Sequence, residues 1–316
     1  MMPILEQEYI TSFRAMGCHV TIRLHTKDDG IALLRQAAEC IAEIEAALSR
    51  FRPDSELSYI NAHSGEWVMV SHTLLQAALV SKQAARLTDG LCNPLVLPAL
   101  IAAGYNRSFD LIDGQMMISE PPHIPHWQSL EIDVKHQRIR IPSGAGLDFG
   151  GVAKSWTAQQ IAEQLAAYGP CLVNLGGDIV TRGKDWAVEI GEPNQAEANI
   201  LSVNVHDGAV ATSGTDYRRW QTPQGTQHHL IDPRTGSPAV SDVVSVSVIH
   251  PVAFLAEAYA KAVLLMGSES GLAWLDAQWY GAALIVRSDG AVHSTRNFMS
   301  YIFQGETQCS AISLSY

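Results

Sequence analysis

Four stretches of this chain set glycine beside polar and charged side chains: residues 146–155, 174–178, 211–217 and 228–238. Glycine lets a backbone approach a ligand closely, and the amides it leaves free can bind an anion. The first stretch feeds a helical pattern (GLDFGGVAKSWTAQQIAEQL, residues 146–165), and a helix N-terminus favours phosphate. Lys154 stands at that junction and is a reasonable ligand for an anion; as a bland alternative it covers helix surface. His229, in the fourth stretch, is the best candidate for general acid–base work, because its ordinary pKa lies near neutrality. Asp178 and Asp216 place further carboxylates near the glycine loops. Any one stretch is as well explained as an ordinary loop, and Asp232-Pro233-Arg234-Thr235-Gly236 is good turn chemistry in its own right. Four of them in one chain point to a site for an anion.

Patterned segments must position these residues. Residues 17–24 alternate and predict a strand. Asp28-Asp29-Gly30 opens a helix to about Leu48, with Ile31, Leu34, Ala38, Ile41, Ile44 and Leu48 on one face. A second helix is predicted over 71–87, ending at Asp89-Gly90. The proline-bearing stretch 106–129 reads as irregular, and 130–141 as a hairpin turning near His136-Gln137. Strands are predicted at 171–175, 186–190, 201–205 and 243–249, a helix at 253–266, and a last hairpin over 282–294. Hairpins mixed with helices give an α+β class or a mixed sheet, not a doubly wound parallel fold.

Composition bounds the function. The chain has 316 residues, 47% hydrophobic and 17% charged, which suits an ordered globular protein with a large core. A net charge of −11 argues against non-specific nucleic-acid binding, since no basic surplus replaces counterions on a phosphate backbone. Five cysteines, Cys18, Cys40, Cys92, Cys171 and Cys309, form no CxxC pair, so neither zinc site nor disulfide framework is expected and a reducing compartment fits. No run of about 18 apolar residues is present, so no membrane span is expected, and residues 1–9 do not read as a signal peptide.

The motifs, taken in order, resemble the ApbE-like flavin transferase family. Ala15-Met16-Gly17 ahead of a strand resembles its opening AMGT. Arg52 to Leu57 with Asn61 resembles its pDSEl…N segment, and Thr88-Asp89-Gly90 with Asn93-Pro94 its tdGafdPt segment. Asp148 to Lys154 (DFGGVAK) resembles dlGgiaKG, Asn174 to Asp178 (NLGGD) reproduces nlGGd, and Ala211 to Gly214 (ATSG) resembles aTSG. His229 to Gly236 (HLIDPRTG) matches HiiDPrTG. These blocks cover nearly the whole chain. The resemblance implies one α+β domain over 10–305, with terminal extensions 1–9 and 306–316 and a T-fold-like core of antiparallel sheets backed by helices, plus inserted elements. It also implies binding of FAD, cleavage of its diphosphate, transfer of FMN to a Ser or Thr of a partner protein, and release of AMP. Such chemistry at phosphorus needs positioning and charge neutralisation, much of it from a divalent metal in typical members.

Departures from the pattern sharpen the expectation. Where the family's late helix reads ADAlaTA and supplies metal ligands, this chain has Glu257 and Lys261 in place of Asp and Thr. Glu257 can still ligate magnesium, but Lys261 carries positive charge and no acceptor. Lys261 is therefore expected to neutralise diphosphate charge, with magnesium affinity weakened or lost. The bland alternative is an i,i+4 Glu257–Lys261 pair, worth about 0.2–0.5 kcal/mol. Cys18 replaces the AMGT threonine, and Ser155 and Gln159 replace the glycine and aspartate of KGyavD. The residues expected to act are His229, Lys261 and Asp232, the last orienting its turn. Those expected to hold FAD are Met16, Tyr59, Asp148, Lys154, Gly176, Gly177, Asp178, Thr212, Ser213, Gly214, His229, Thr235 and Gly236; Met16 and Tyr59 suit core packing equally well. A non-catalytic FAD-binding module and a FAD diphosphatase are the alternatives. Typical members are exported or lipid-anchored, and this chain shows neither feature, so a cytoplasmic protein is expected, with an acceptor flavoprotein as partner. No DGxxSGAT-like acceptor segment occurs within the chain.

Overall fold

Alternating residues ahead of the strand expected at 17–24 extend it into a hairpin, β1 (Gln7–Ala15) and β2 (Cys18–Thr26), closed by Met16 and Gly17 with φ of 51° and 66°. Two consecutive left-handed residues are what a two-residue turn needs to match the strand twist. The computed structural model describes residues 6–112, 118–195, 198–223, 225–278 and 281–303. After β2 come α1 (Gly30–Leu48), α2 (Glu56–Ala62), β3 (Val68–Met69), α3 (His72–Leu87), α4 (Leu97–Ala102), β4 (Glu131–Asp133) and β5 (Arg138–Arg140). Then follow α5 (Ala153–Ala166), β6 (Cys171–Leu175), β7 (Asp178–Arg182), β8 (Trp186–Gly191), β9 (Asn199–Val205), β10 (Ala209–Gly214), β11 (Arg219–Thr222) and β12 (Gly225–His228). The rest are β13 (Ile231–Asp232), β14 (Ser237–Pro238), β15 (Val243–His250), α6 (Ala253–Met266), α7 (Ser268–Asp276), β16 (Ala282–Arg287) and β17 (Val292–Ser294).

The chain folds into two compact units, one of residues 1–43, 154–214 and 242–316, the other of 44–153 and 215–241. The first is built on an eight-stranded sheet of order β1-β2-β6-β7-β10-β15-β16-β17, antiparallel at every pairing. Helix α6 packs on β10 and β15. It is buried from Ala253 to Leu265 except at Lys261, as a helix apolar all round must be. The β8–β9 hairpin contributes Val188, Ile190, Leu201, Val203 and Val205 to a core shared with Val210, Ile249 and Leu284. The second unit holds α2, α3 and α4, a small sheet of order β3-β5-β4, and the hairpins β11–β12 and β13–β14. Ser55 and Ser71 cap α2 and α3 by accepting from the amides of Ser58 and Leu74. The α+β class with antiparallel sheets and helices is therefore what forms.

Two expectations need correction, and the irregular reading of 106–129 is refined. Residues 211–214, expected as part of a glycine loop, are the interior strand β10: Thr212 and Ser213 alternate exposed and buried between β7 and β15. The stripe of α1 runs Leu34, Ala37, Ile41, Ile44 and Leu48, while Ile31 is 71% exposed. Gly30 faces inward against the Tyr9 ring, so closely that an added Cβ would lie 2.2 Å from it. Within 106–129 the described residues include two short 3₁₀ turns, 109–111 and 127–129; residues 113–117 lie outside the described set.

Candidate functional site

The pairing register gathers seven of the expected residues at one end of the eight-stranded sheet. Leu175 pairs Asp178 across the turn Gly176-Gly177, with φ of 63° and 97°, and Ala15 pairs Cys18 across Met16-Gly17. The two turns are neighbours: the Gly176 amide donates to the His19 carbonyl at 3.0 Å, and a Cβ on Gly176 would lie 2.6 Å from that of Cys18. Since Val180 pairs Ala209 and Ile179 pairs Val210, β10 runs on toward this same end through Thr212, Ser213 and Gly214. The Thr212 and Ser247 hydroxyls there are 2.8 Å apart.

Inside this unit lies a buried charge cluster. Lys154, in the first turn of α5, ion-pairs with Asp178 and lies 3.3 Å from Oε1 of Glu257 on α6. Ser155 donates its hydroxyl to Glu257 Oε2 at 2.6 Å. Asp178 and Glu257 are almost entirely buried, and Lys154 is largely so. The Lys261 side chain makes no hydrogen bond or ion pair among the described residues, although its charge is felt by both carboxylates. The i,i+4 pair of Glu257 with Lys261 thus does not form; Glu257 turns to Lys154 and Ser155 instead. Burial and the neighbouring Glu257 push Asp178 up to about 7 against the pull of Lys154. Burial also opposes ionisation of Glu257, but Lys154, Lys261 and the Ser155 hydroxyl outweigh it and hold its carboxyl below the usual range. Ser155, Glu257 and Lys261 are all departures from the family pattern. The first two bond directly, and the third acts on Glu257 through its charge.

The remaining expected residues lie in the other unit. Asp232 is buried, and Arg234 holds its carboxylate with both guanidinium and backbone: Nε to Oδ1 at 2.9 Å, Nη2 to Oδ2 at 2.7 Å, and the amide to Oδ1 at 2.9 Å. The carboxylate is spent on the turn, which leads through exposed Thr235 to Gly236, where an added Cβ would strike the Pro122 carbonyl at 2.6 Å. The two adjacent histidines differ. His228 accepts from the Leu230 amide and donates to the Ala239 carbonyl, and burial lowers its pKa, so it is a neutral structural ring. The Nδ1 of His229 donates to the Arg218 carbonyl at 3.3 Å, which fixes the orientation of the ring. Tyr59 is 56% exposed and stacks on His63 at 4.0 Å, so it is not a core residue. Asp148 ion-pairs with Arg50, Nε to Oδ2 at 2.6 Å, and accepts from the Gly150 amide at 2.7 Å. Arg50 escaped the sequence reading because nothing in its neighbourhood marks a partner 98 positions away.

The ApbE family model matches residues 16–286. The chain belongs to the ApbE family. It is 28% identical over 275 residues to the FAD:protein FMN transferase of Vibrio cholerae, covering 83% of this chain and 81% of that one. It is 32% identical over 245 residues to the FAD:protein FMN transferase of Chlamydia trachomatis, covering 73% and 75%. The crystal structure of the ApbE protein of Thermotoga maritima superposes with a TM-score of 0.86 at 25% identity, over 94% of this chain and 100% of that one. Among the described residues no helix is long and apolar enough to cross a membrane.

Proposed function

We propose that this protein binds FAD, cleaves its diphosphate, and transfers FMN to a serine or threonine hydroxyl of a partner protein, releasing AMP. The acceptor oxygen forms a bond to the FMN-side phosphorus, the bond to the AMP-side bridging oxygen breaks, and the hydroxyl proton passes to a base. His229 is the group assigned to that proton. The reading is supported by the relatives' activity, since the match covers more than four-fifths of one of them. It is also supported by the end of the sheet where Asp178, Gly176, Gly177 and Gly214 meet.

The observation that carries the finer part of the proposal is the pairing of Lys154 with both Asp178 and Glu257. Magnesium wants several unencumbered oxygen ligands in octahedral array. Here the two carboxylates that would supply them already face ammonium groups, and the position of Lys261 offers none. These residues do not fit a divalent metal, so no step is routed through one. Lys154 and Lys261 instead supply positive charge toward a diphosphate, which an ammonium does as a point charge. A cytoplasmic acceptor flavoprotein is the partner this reading calls for.

One assay tests it. The purified protein is incubated with FAD in magnesium and in chelator, and FAD, FMN, AMP and protein-bound flavin are separated by chromatography. AMP release that persists in chelator is expected; intact bound FAD under both conditions would instead identify a binding module. Lys261→Thr combined with Glu257→Asp is expected to make cleavage magnesium-dependent, and a double variant still indifferent to magnesium would remove the basis of charge replacement.

A further inference from the structure

Asp148 stands in a motif expected to hold FAD, yet its carboxylate is already committed within the protein. Oδ2 meets Arg50 at 2.6 Å and Oδ1 accepts from the Gly150 amide at 2.7 Å. The Arg50 side chain is only 7% exposed. Its guanidinium carbon lies 4.1 Å from the centroid of the Phe51 ring and 4.5 Å from that of Tyr105, so the cation is clamped against two aromatic faces. Its Nη2 is buried with no acceptor. A buried guanidinium that leaves one nitrogen unsatisfied is costly, and its orientation is thereby fixed by the rings and by Asp148 alone.

What this fixes is the backbone of the glycine loop. Asn61 brackets Leu147, accepting from its amide at 2.7 Å and donating to its carbonyl at 3.0 Å. The Asp148 amide donates to the Pro94 carbonyl at 2.9 Å. The Phe149 carbonyl then accepts from Val152 and Ala153 and so begins α5, whose next residue is Lys154. Without a fixed Asp148 the two glycines Gly150 and Gly151 would leave this entry into the helix loosely determined.

We propose that Arg50 is a positioning residue for the reaction, acting through Asp148 to set the path of residues 147–151. The inference rests on the proposed FAD cleavage for its catalytic consequence, but not for its structural one. The test uses the full chain with Arg50→Met, Arg50→Lys and Asp148→Asn, and the double variant Arg50→Met/Asp148→Asn. Hydrogen exchange is read on peptides covering 145–153, and AMP release is read against FAD concentration. In Arg50→Met, exchange of the loop is expected to rise about tenfold or more while peptides from α3 keep their protection. The kcat is expected to fall about 10- to 100-fold with KM for FAD changed less than about threefold, as loss of positioning rather than of binding predicts. Arg50→Lys, which keeps the charge but not the flat fork, should fall between, and it serves as the test variant if the methionine form does not fold. Asp148→Asn added to Arg50→Met should cost less than about twofold more, because both break one link. Unchanged loop exchange in both Arg50 variants, additive losses, or a rise in KM equal to the fall in activity would overturn the proposal. If the wild-type protein does not cleave FAD, the reading of its function fails, while the exchange measurement still decides whether Arg50 orders the loop.

Discussion

Two carboxylate–cation pairs in this protein make opposite use of the same chemistry. Asp232 and Arg234 are two residues apart, and the arginine lies mostly in solvent while it closes a turn on its own chain segment. Lys154 meets Asp178 and Glu257 across 24 and 103 positions, and all three are buried or nearly so. A local pair with its cation in solvent loses little by separating, because water takes over the guanidinium and the Arg234 amide still donates to the carboxylate. A buried cluster cannot separate without leaving a charge where nothing else solvates it. The first therefore closes a turn locally, and the second ties two helices and a strand together through charges that water does not reach.

The comparison breaks most visibly at Lys154. Lys154→Met leaves two buried carboxylates with Lys261 as a remaining cation whose charge both feel, and a loss of about 3–5 kcal/mol in unfolding free energy is expected from urea titration. Adding Asp178→Asn should recover a good part of that loss, since one of the stranded charges is gone. A loss below about 1 kcal/mol in the single variant would mean that water reaches the cluster, and the contrast with the exposed pair would collapse.

The next effect is a pH dependence. Asp178 is pushed up to about 7, chiefly by burial and by Glu257. A carboxyl raised in the folded state adds stability that is full below its ordinary value of 3.8 and is lost as pH rises through about 7. Glu257, held low, has the opposite sign: its contribution is present above its ordinary 4.5 and disappears only as pH falls below that. His228 and His250, both lowered by burial, favour the folded state as pH rises past 6.5. Their part cancels when wild type is compared with Asp178→Asn. The difference in thermal midpoint between the two should therefore drift in favour of Asp178→Asn from pH 5 to pH 8. A constant difference over that range would show that Asp178 is already ionised at pH 5.

How much of this was legible in the sequence follows from the same distinction between local and distant. The strand at Cys171–Leu175, the helix Ala253–Met266 and the hairpin at 282–294 declare themselves by patterns confined to a few residues. The DPRTG turn does so too, because its Asx geometry is written in five consecutive residues. Strands β7 and β10 did not, since glycine at one end of each masks alternation and only neighbours in the sheet make their backbones extended. For Glu257 the partner within reach in the sequence was Lys261, one helical turn on; the partner in the fold is Lys154, supplied by another helix. Arg50 was invisible for the same reason. Motif order identified the family, while the pairing among the motif residues is set by sheet register and helix packing that no short window contains.

The smallest expected effect is at the exposed pair, and it is the one that sharpens the contrast. Arg234→Ala removes a guanidinium that is more than half exposed, and surface pairs of this kind contribute about 0–1 kcal/mol. The turn should survive, because Asp232 Oδ1 still accepts from the backbone amide at position 234, and the amide of Gly236 still donates to the Asp232 carbonyl at 2.8 Å. Asp232→Ala strips the arginine and the amide of their acceptor together, so its loss should be the larger of the two. If Arg234→Ala instead destabilised the protein as much as Lys154→Met, exposure would not be what separates the pairs, and the guanidinium would need a second duty beyond closing its own turn.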